Sequence, residues 1–417
     1  MNIMHTLKEH YQSDETSEYL PIQQWFISRD LKNRNHFNHS FLIHVNEKID
    51  KTRLQGALEK LNNLHDSLRT IYNGGKQHYR KESQIAVIKE LTVTGKTKEE
   101  IFKELSSWQN RFDIENGYLW QCGIVKGYED GSERIFLAFH HLVIDAASWP
   151  IIRKDLKKLY EGKDVENKGS SYRQWVNAVK EYGKTAVPDE RCYWKGLIEE
   201  QEKYQVDLKE LTENDDNQLR YARVDLSPDI VTRLLLRNNS NINDVLLSGL
   251  SYALFEVTKK KTNWITLETH GREDIDDRLD ISRTVGWFTA LYPVCLTVGK
   301  DIAETIKEIK EWISKIPNNG IGYGALHGYD KMPKFLFNYL EKVGGTEESI
   351  WQIRMGEESG ESMSPDNRYG NIVDINGLQR DGKIGFGIES YLKEKNHELL
   401  CDAFKRNVEA ITLYLHP

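Results

Sequence analysis

The stretch FHHLVIDAASWP, residues 139–150, decides how the rest of the chain is read. Upstream, YLWQCGIVKGY reads as a strand, EDGSER as a turn holding Asp-Gly, and RIFLAFH as the returning strand of a hairpin. Downstream, Ser148 is placed to cap a helix with Pro150 in its first turn, and Trp149, Ile152, Leu156 and Leu159 form one helical stripe. His140 to Asp145 therefore fall on a loop between a strand end and a helix start. Flanking elements fix the geometry of such loops, which suits them to chemistry.

Side chains alternate across a strand, so His140 and His141 do not readily serve one small site. One usable His and one Asp are too few ligands for a metal, and no HxH or HExxH is present. His140 is read as a hydrogen-bonded core residue and His141 as a base, since a neutral imidazole takes a proton near pH 7. Two readings stand for Asp145: it orients the imidazole, or it pairs with an arginine and holds the loop.

Outward from this loop, helical and strand patterns alternate. A helix is expected over LQGALEKLNNLHDSLR, with Leu54, Leu58, Leu61 and Leu68 on one face. The polar run 158–171 reads as a linker. Beyond it lie helices around YRQWVNAVKEY and ERCYWKGLIEEQEKY, a strand at NQLRYARVDL, and a helix over 241–258 capped by Asn241 or Asn243. TNWITLETHGRED reads as a strand entering a polar loop, and VGWFTALYPVCLTV as one long apolar strand. A stripe from Ile302 to Ile316, the short strand FLFNYL, a hairpin across Asp381–Gly382 and a helix from His397 to Leu413 complete the pattern. Two mixed α/β portions follow, residues 1–168 and 169–417.

With 417 residues, more than one core is expected. A net charge of −7 argues against a general nucleic-acid binder, which needs a basic face. Four scattered cysteines without a CxxC fit a reducing compartment. The N-terminal MNIMHTLKEHYQSDE lacks the apolar core of a signal peptide, and no apolar run approaches the ~20 residues of a membrane helix. The expectation is a cytoplasmic protein with no membrane partner.

Three further constellations carry chemistry. LETHGRED, 267–274, packs Glu268, His270, Arg272 and Glu273 after a strand. It is either a solvated loop or the end of a strand whose Glu268 points inward, where a closed site would raise its pKa and fit it for acid or base work. Arg272 offers a bidentate partner for a carboxylate such as Asp145. Asn338 and Tyr339 are polar groups in an apolar strand and need partners, structural or substrate. GIGYGALHGY, 320–329, lacks the GK[ST] of a phosphate cradle and reads as a tight loop. No GxSxG elbow and no nucleophilic-cysteine motif appears. The chemistry indicated is proton transfer without a covalent nucleophile or a metal.

The ordered set PIQQWF, NHFNHS, HDSLR, HHLVIDAASW, SYRQW, NDVLLSGLSYAL, ETHGRE, RTVGWFTALYPV, GIGYG and FNYL resembles the epimerization domain of non-ribosomal peptide synthetases, in the condensation-domain superfamily. The resemblance covers nearly the whole chain. Condensation domains typically read HHxxxDGWS and FVNT and lack the glutamate that Glu268 matches. The resemblance implies an α/β fold of two chloramphenicol-acetyltransferase-like lobes in a V-shaped pseudo-dimer, with the active site in the cleft between them. It implies epimerization at Cα of an L-aminoacyl or peptidyl thioester, without a bound cofactor. The substrate would arrive on the 4'-phosphopantetheine arm of a carrier protein, with no nucleic-acid partner, and the chain would be a monomer. It assigns catalysis to His141, Glu268, Tyr339 and Asn338, with Asp145, Arg272 and His140 in support. Trp149, Ser148, Trp287 and Tyr323 are expected to contact substrate. Rival expectations are an amide-forming condensation enzyme and a silent carrier-binding scaffold. Ala146 and Thr269 stand where the family usually has Gly, and Glu341 follows FNYL where Gly is frequent. The methyl of Ala146 is tolerable only at negative φ.

Overall fold

The computed structural model describes residues 16–80, 85, 87–204, 208–212, 218–235, 241–341, 351–353, 357–380 and 382–416. The N-terminal fifteen residues and Asp381 of the expected Asp-Gly turn lie outside these. The chain forms two compact units, and neither is continuous. The first comprises Met1–Lys180, Asp276–Trp287 and Thr346–Asn367; the second comprises Glu181–Ile275, Phe288–Gly345 and Arg368–Pro417. A single division near 168 therefore does not describe it.

In the first unit, β1 (Thr16–Ser17), β4 (Lys76–Tyr79) and β3 (Thr70–Asn73) form a small sheet. The main sheet has the order β12–β2–β7–β6–β5, formed by Trp351–Ile353, Asn38–Val45, Glu133–His140, Trp120–Lys126 and Lys89–Thr92. β6 and β7 pair antiparallel as the sequence indicates, with Trp120 opposite Phe139. Nearly every residue of both is buried, so the strands are covered on both faces. The helices are α1 (Pro21–Ile27), α2 (Lys51–Leu64), α3 (Lys98–Gln109), α4 (Ser148–Tyr160) and α5 (Tyr172–Thr185), the last running across the division into the second unit. Helix α2 starts where Asp50 accepts the Thr52 and Arg53 amides, and it buries Leu54, Leu58 and Leu61. It ends at His65, four residues short of the expected LQGALEKLNNLHDSLR span.

The polar run 158–171 is not a free linker. Helix α4 occupies its start, and Lys168 is buried in an ion pair with Asp66 at 2.9 Å. The Ser170 amide donates to Asp280 and the Ser170 carbonyl accepts from Thr284. Sequence polarity gave no sign that the segment 276–287 returns here to pair with it.

In the second unit the sheet order is β10–β9–β11–β13–β14–β8, formed by Ala290–Thr297, Thr262–Thr269, Phe335–Leu340, Val373–Arg380, Lys383–Ser390 and Arg220–Asp225. β11 runs parallel to β9 and β13, and the other neighbours are antiparallel. Helices α6 (Pro188–Lys203), α7 (Pro228–Leu235), α8 (Ile242–Thr258), α9 (Ile302–Ser314), α10 (Ile321–His327) and α11 (Glu394–Leu415) complete it. Asn241 is the N-cap of α8, accepting the Asn243 amide. Helix α8 meets α11 at Gly249, where a Cβ would come within 2.4 Å of Val408. On the sheet, Phe337 of β11 and Phe386 of β14 meet Phe404 of α11, so one face is a packed core. The other face carries exposed Asn376, in keeping with the alternation along β13.

Two expectations are corrected. VGWFTALYPVCLTV is a strand only from Ala290; Gly286 and Trp287 belong to the first unit. GIGYG is not a loop but the start of helix α10, and its glycines serve packing. A Cβ on Gly322 would meet Glu190 at 1.8 Å, and one on Gly324 would meet Tyr329 at 2.3 Å. Gly320 combines φ 84° with a Cβ position 1.8 Å from the Tyr292 ring, whereas Gly328 has φ 65° in open space. Gly328→Ala is expected to cost about 1 kcal/mol, and Gly320→Ala at least ~3 kcal/mol, because only the second adds a clash. Denaturant unfolding of the two variants measures the difference.

Candidate functional site

His140 closes β7, and His141 opens a short 3-10 turn reaching Val143. The turn, more than strand alternation, separates the two rings. His140 is fully buried; its Nε2–H donates to the Arg34 carbonyl at 2.8 Å, and its Nδ1 accepts the Leu142 amide at 3.2 Å. Both nitrogens are engaged, and burial pushes its pKa down to about 3, so the ring is a neutral core group.

His141 sits differently. Its Nδ1 lies 2.8 Å from the Ile144 carbonyl, which only accepts, so Nδ1 carries the hydrogen and Nε2 the lone pair. Nε2 has no hydrogen-bond partner among the described residues. The ring lies 5.1 Å from Phe37, 4.3 Å from Trp287 and 4.0 Å from His39. Loss of water inside this aromatic surround lowers the His141 pKa; its own backbone, the Ile144 carbonyl and the Asp145 charge oppose that shift. His39 is held well below its ordinary value by burial and by His141. The orienting group is thus a backbone carbonyl.

Asp145 holds the loop. Its Oδ1 accepts the Ser148 amide at 2.7 Å and the Ser148 hydroxyl at 2.6 Å. It caps α4 in place of Ser148, which is the first helical residue. Ser148 Oγ in turn accepts the Gly286 amide at 3.2 Å. Ser148 and Trp149 are therefore interior groups and not the substrate contacts expected of them: Trp149 is 1% exposed and packs edge-on against Phe41 and Phe139. Ala146 is absent from the positive-φ residues of the described chain, so its methyl meets the condition set above.

In the second unit, Glu268 is the penultimate residue of β9 and only partly exposed. Asn338 Nδ2 donates to Glu268 Oε1 at 3.1 Å and lies 3.4 Å from Asn376 Oδ1. The parallel register of β9 and β11 sets Phe337 beside Leu267 and hence Asn338 beside Glu268 on one face. Tyr339 points to the opposite face, where its ring stacks on Phe386 and its hydroxyl reaches Gln379 at 3.4 Å. Its expected place beside Asn338 is corrected by that alternation. Tyr323 is likewise a core ring, 2% exposed against Trp194 and Tyr329, and not a substrate contact.

The loop after β9 turns at Gly271, φ 64°, where a Cβ would lie 1.9 Å from the Phe288 carbonyl. His270 Nδ1 accepts the Arg272 amide at 2.9 Å, and the Arg272 guanidinium lies 3.7 Å over the Phe288 ring. Glu273 accepts from Asn319 at 2.7 Å. No group of three or more His, Cys, Asp or Glu side chains able to hold a metal occurs among the described residues. His39, Phe37 and Asn376 had no role assigned from sequence. The first two lie in the NHFNHS motif, and the antiparallel register of β2 on β7, with His39 opposite Phe139, brings them to His141.

A family model described as Condensation domain matches residues 14–414. The chain belongs to the condensation-domain family. It is 32% identical over 93% of its length to N-(5-amino-5-carboxypentanoyl)-L-cysteinyl-D-valine synthase of Amycolatopsis lactamdurans, and spans 11% of that protein. It is 29% identical over 94% of its length to gramicidin S synthase 1 of Brevibacillus brevis, spanning 39% of it. Among solved structures, the epimerization domain from the third module of tyrocidine synthetase B superposes with TM-score 0.84 at 25% identity, over 97% of this chain and 99% of that one. The condensation domain of the Monacolin K polyketide synthase MokA shares the fold, with TM-score 0.73 at 14% identity over 96% of this chain and 98% of that one.

In this family member, Ser148→Ala removes the acceptor for the Gly286 amide and a donor to Asp145. Unfolding free energy is expected to fall by about 1–3 kcal/mol, read from denaturant midpoints.

Proposed function

We propose that this condensation-family domain epimerises Cα of an aminoacyl or peptidyl thioester carried on the phosphopantetheine arm of a carrier protein. The observation that carries the reading is the Asn338–Glu268 pair: a carboxylate set on a strand and held by a side-chain amide. The similarity to an epimerization domain at TM-score 0.84 supports it.

The thioester acidifies the α-hydrogen. A base takes that hydrogen as a proton, leaving an enolate, and a proton delivered to the opposite face gives the other configuration. His141 suits the first task because Nδ1 is committed to Ile144 and Nε2 presents a lone pair. Glu268, in its carboxylic-acid form, delivers the second proton and is left as the carboxylate while His141 is left as the imidazolium; for the reverse conversion that carboxylate takes the α-proton and the imidazolium returns one. Asn338 fixes the Glu268 carboxyl. Asp145 and Arg272 shape the loops beside the two groups, and His140 fills the core behind His141. Trp287 shields the His141 ring from water.

The test loads a carrier protein with an α-deuterated L-aminoacyl thioester and follows deuterium loss and D-product. His141→Ala and Glu268→Gln are each expected to slow exchange at least ~100-fold, while Tyr339→Phe, on the opposite sheet face, changes it less than about tenfold. Wild-type rates in both of the first two variants would sink the assignment. Amide formation with an added acceptor, without exchange, marks a condensation enzyme; neither reaction marks a scaffold.

The pH dependence has a defined sign. A histidine works as a base only when neutral, and burial lowers the His141 pKa below 6.5. Activity is therefore retained below pH 6.5 and lost as pH falls through the lowered value, so the acid limb of kcat/KM inflects on the acid side of 6.5.

A further inference from the structure

Within the first unit, a buried charged cluster lies away from the His141 turn. Asp155 of α4 is wholly buried. Its Oδ1 accepts from Arg283 at 2.6 Å, and its Oδ2 lies 3.0 Å from His65 Nε2. His65 Nδ1 is buried without a partner among the described residues. A carboxylate only accepts, so Nε2 carries the hydrogen that His65 donates to Asp155. Arg283 brings a permanent positive charge to Asp155, and its other terminal nitrogen lies 3.3 Å from Glu166.

Arg283 anchors a short run of chain that ends at Trp287. Thr284 Oγ1 donates to the Ser170 carbonyl at 2.7 Å. Gly286 donates to Ser148, and the Trp287 carbonyl accepts the Tyr172 hydroxyl at 2.5 Å. Gly286 has no room to shift, since a Cβ there would lie 2.2 Å from the Tyr172 ring. The Trp287 ring, 3% exposed, then lies against His141, Phe37 and Phe26. Trp287, whose ring packs on the imidazole, follows the buried ion pair at Arg283 by only four residues.

We propose that Arg283, held by Asp155, is a positioning residue that seats Trp287 over His141. The inference concerns the imidazole assigned above as a base, but it is read on that imidazole directly, whether or not the domain epimerises a thioester. Among the described residues, the charged and titratable groups around His141 are His39 on β2, His140 on β7 and Asp145 in the turn. The Arg283 guanidinium is engaged by Asp155 and Glu166, so a change at Arg283 reaches His141 through the 284–287 run.

The experiment follows the His141 ring by NMR titration in the wild type and in Arg283→Met, Arg283→Lys and the double variant Asp155→Leu with Arg283→Met. Removing the guanidinium releases Trp287 and lets water reach the imidazole. The expected result is a rise in the His141 titration midpoint on the order of half a pH unit or more in Arg283→Met, with Arg283→Lys closer to wild type. The double variant leaves no buried charge unpaired and keeps the measurement available if the single variant fails to fold. It is expected to show the same rise. Gly320→Ala, which loosens the second unit, is expected to leave the midpoint where it was. A wild-type midpoint in folded Arg283→Met or in the double variant, or an equal rise in Gly320→Ala, overturns the proposal.

Discussion

The hydroxyl of Ser148 joins two distant pieces of sequence. It donates to Asp145 and receives the Gly286 amide, while the Ser148 amide also goes to Asp145. All these groups are buried, so each needs its partner. Alanine there leaves the Gly286 amide and one lone pair of Asp145 unanswered. The start of α4, the shape of the His141 turn and the place of Trp287 all follow from this junction. Asp145 acts as its fixed point.

The two proton-transfer candidates acquire their properties by different means. His141 owes its tautomer to a carbonyl three residues ahead and its low basicity to the rings that displace water. Glu268 owes its orientation to sheet register, because a parallel strand pair sets Asn338 alongside it. Neither depends on a flexible loop. His141 begins a turn pinned at both ends, and Glu268 lies within a strand.

Much of the architecture was legible in the sequence because it is local. Alternation gave β13 and β14, the 3.6-residue stripe gave α2, α4 and α9, and the Asp-Gly turn gave the β6–β7 hairpin. Polarity on strand ends pointed to Glu268 and Asn338. What local pattern hides is which remote backbone satisfies a polar side chain. Lys168 looked like part of a solvated linker because its partner, Asp66, lies about a hundred residues earlier. Tyr339 looked equivalent to Asn338, yet period-2 alternation sends the two to opposite faces. The glycines of GIGYG looked like a loop because their crowding against Glu190 and Tyr329 is a tertiary fact. Trp149 and Tyr323 lie in conspicuous motifs, but large aromatic rings mostly fill cores.

The division of the chain bears on its synthesis. The main sheet of the first unit takes its edge strand, β12, from residues 351–353, and Trp351 pairs with Val45. The Arg283–Trp287 run also belongs to this unit but follows it by about a hundred residues. A ribosome that has completed α4 has therefore made the His141 turn without the serine's partner, without the ring above the imidazole and with one sheet edge open. Unpaired strand edges attract other strands, and long-range closures form slowly. Both units await chain emerging after residue 345: the first lacks its last segment until Asn367 is made, and the second still needs the chain that follows from Arg368.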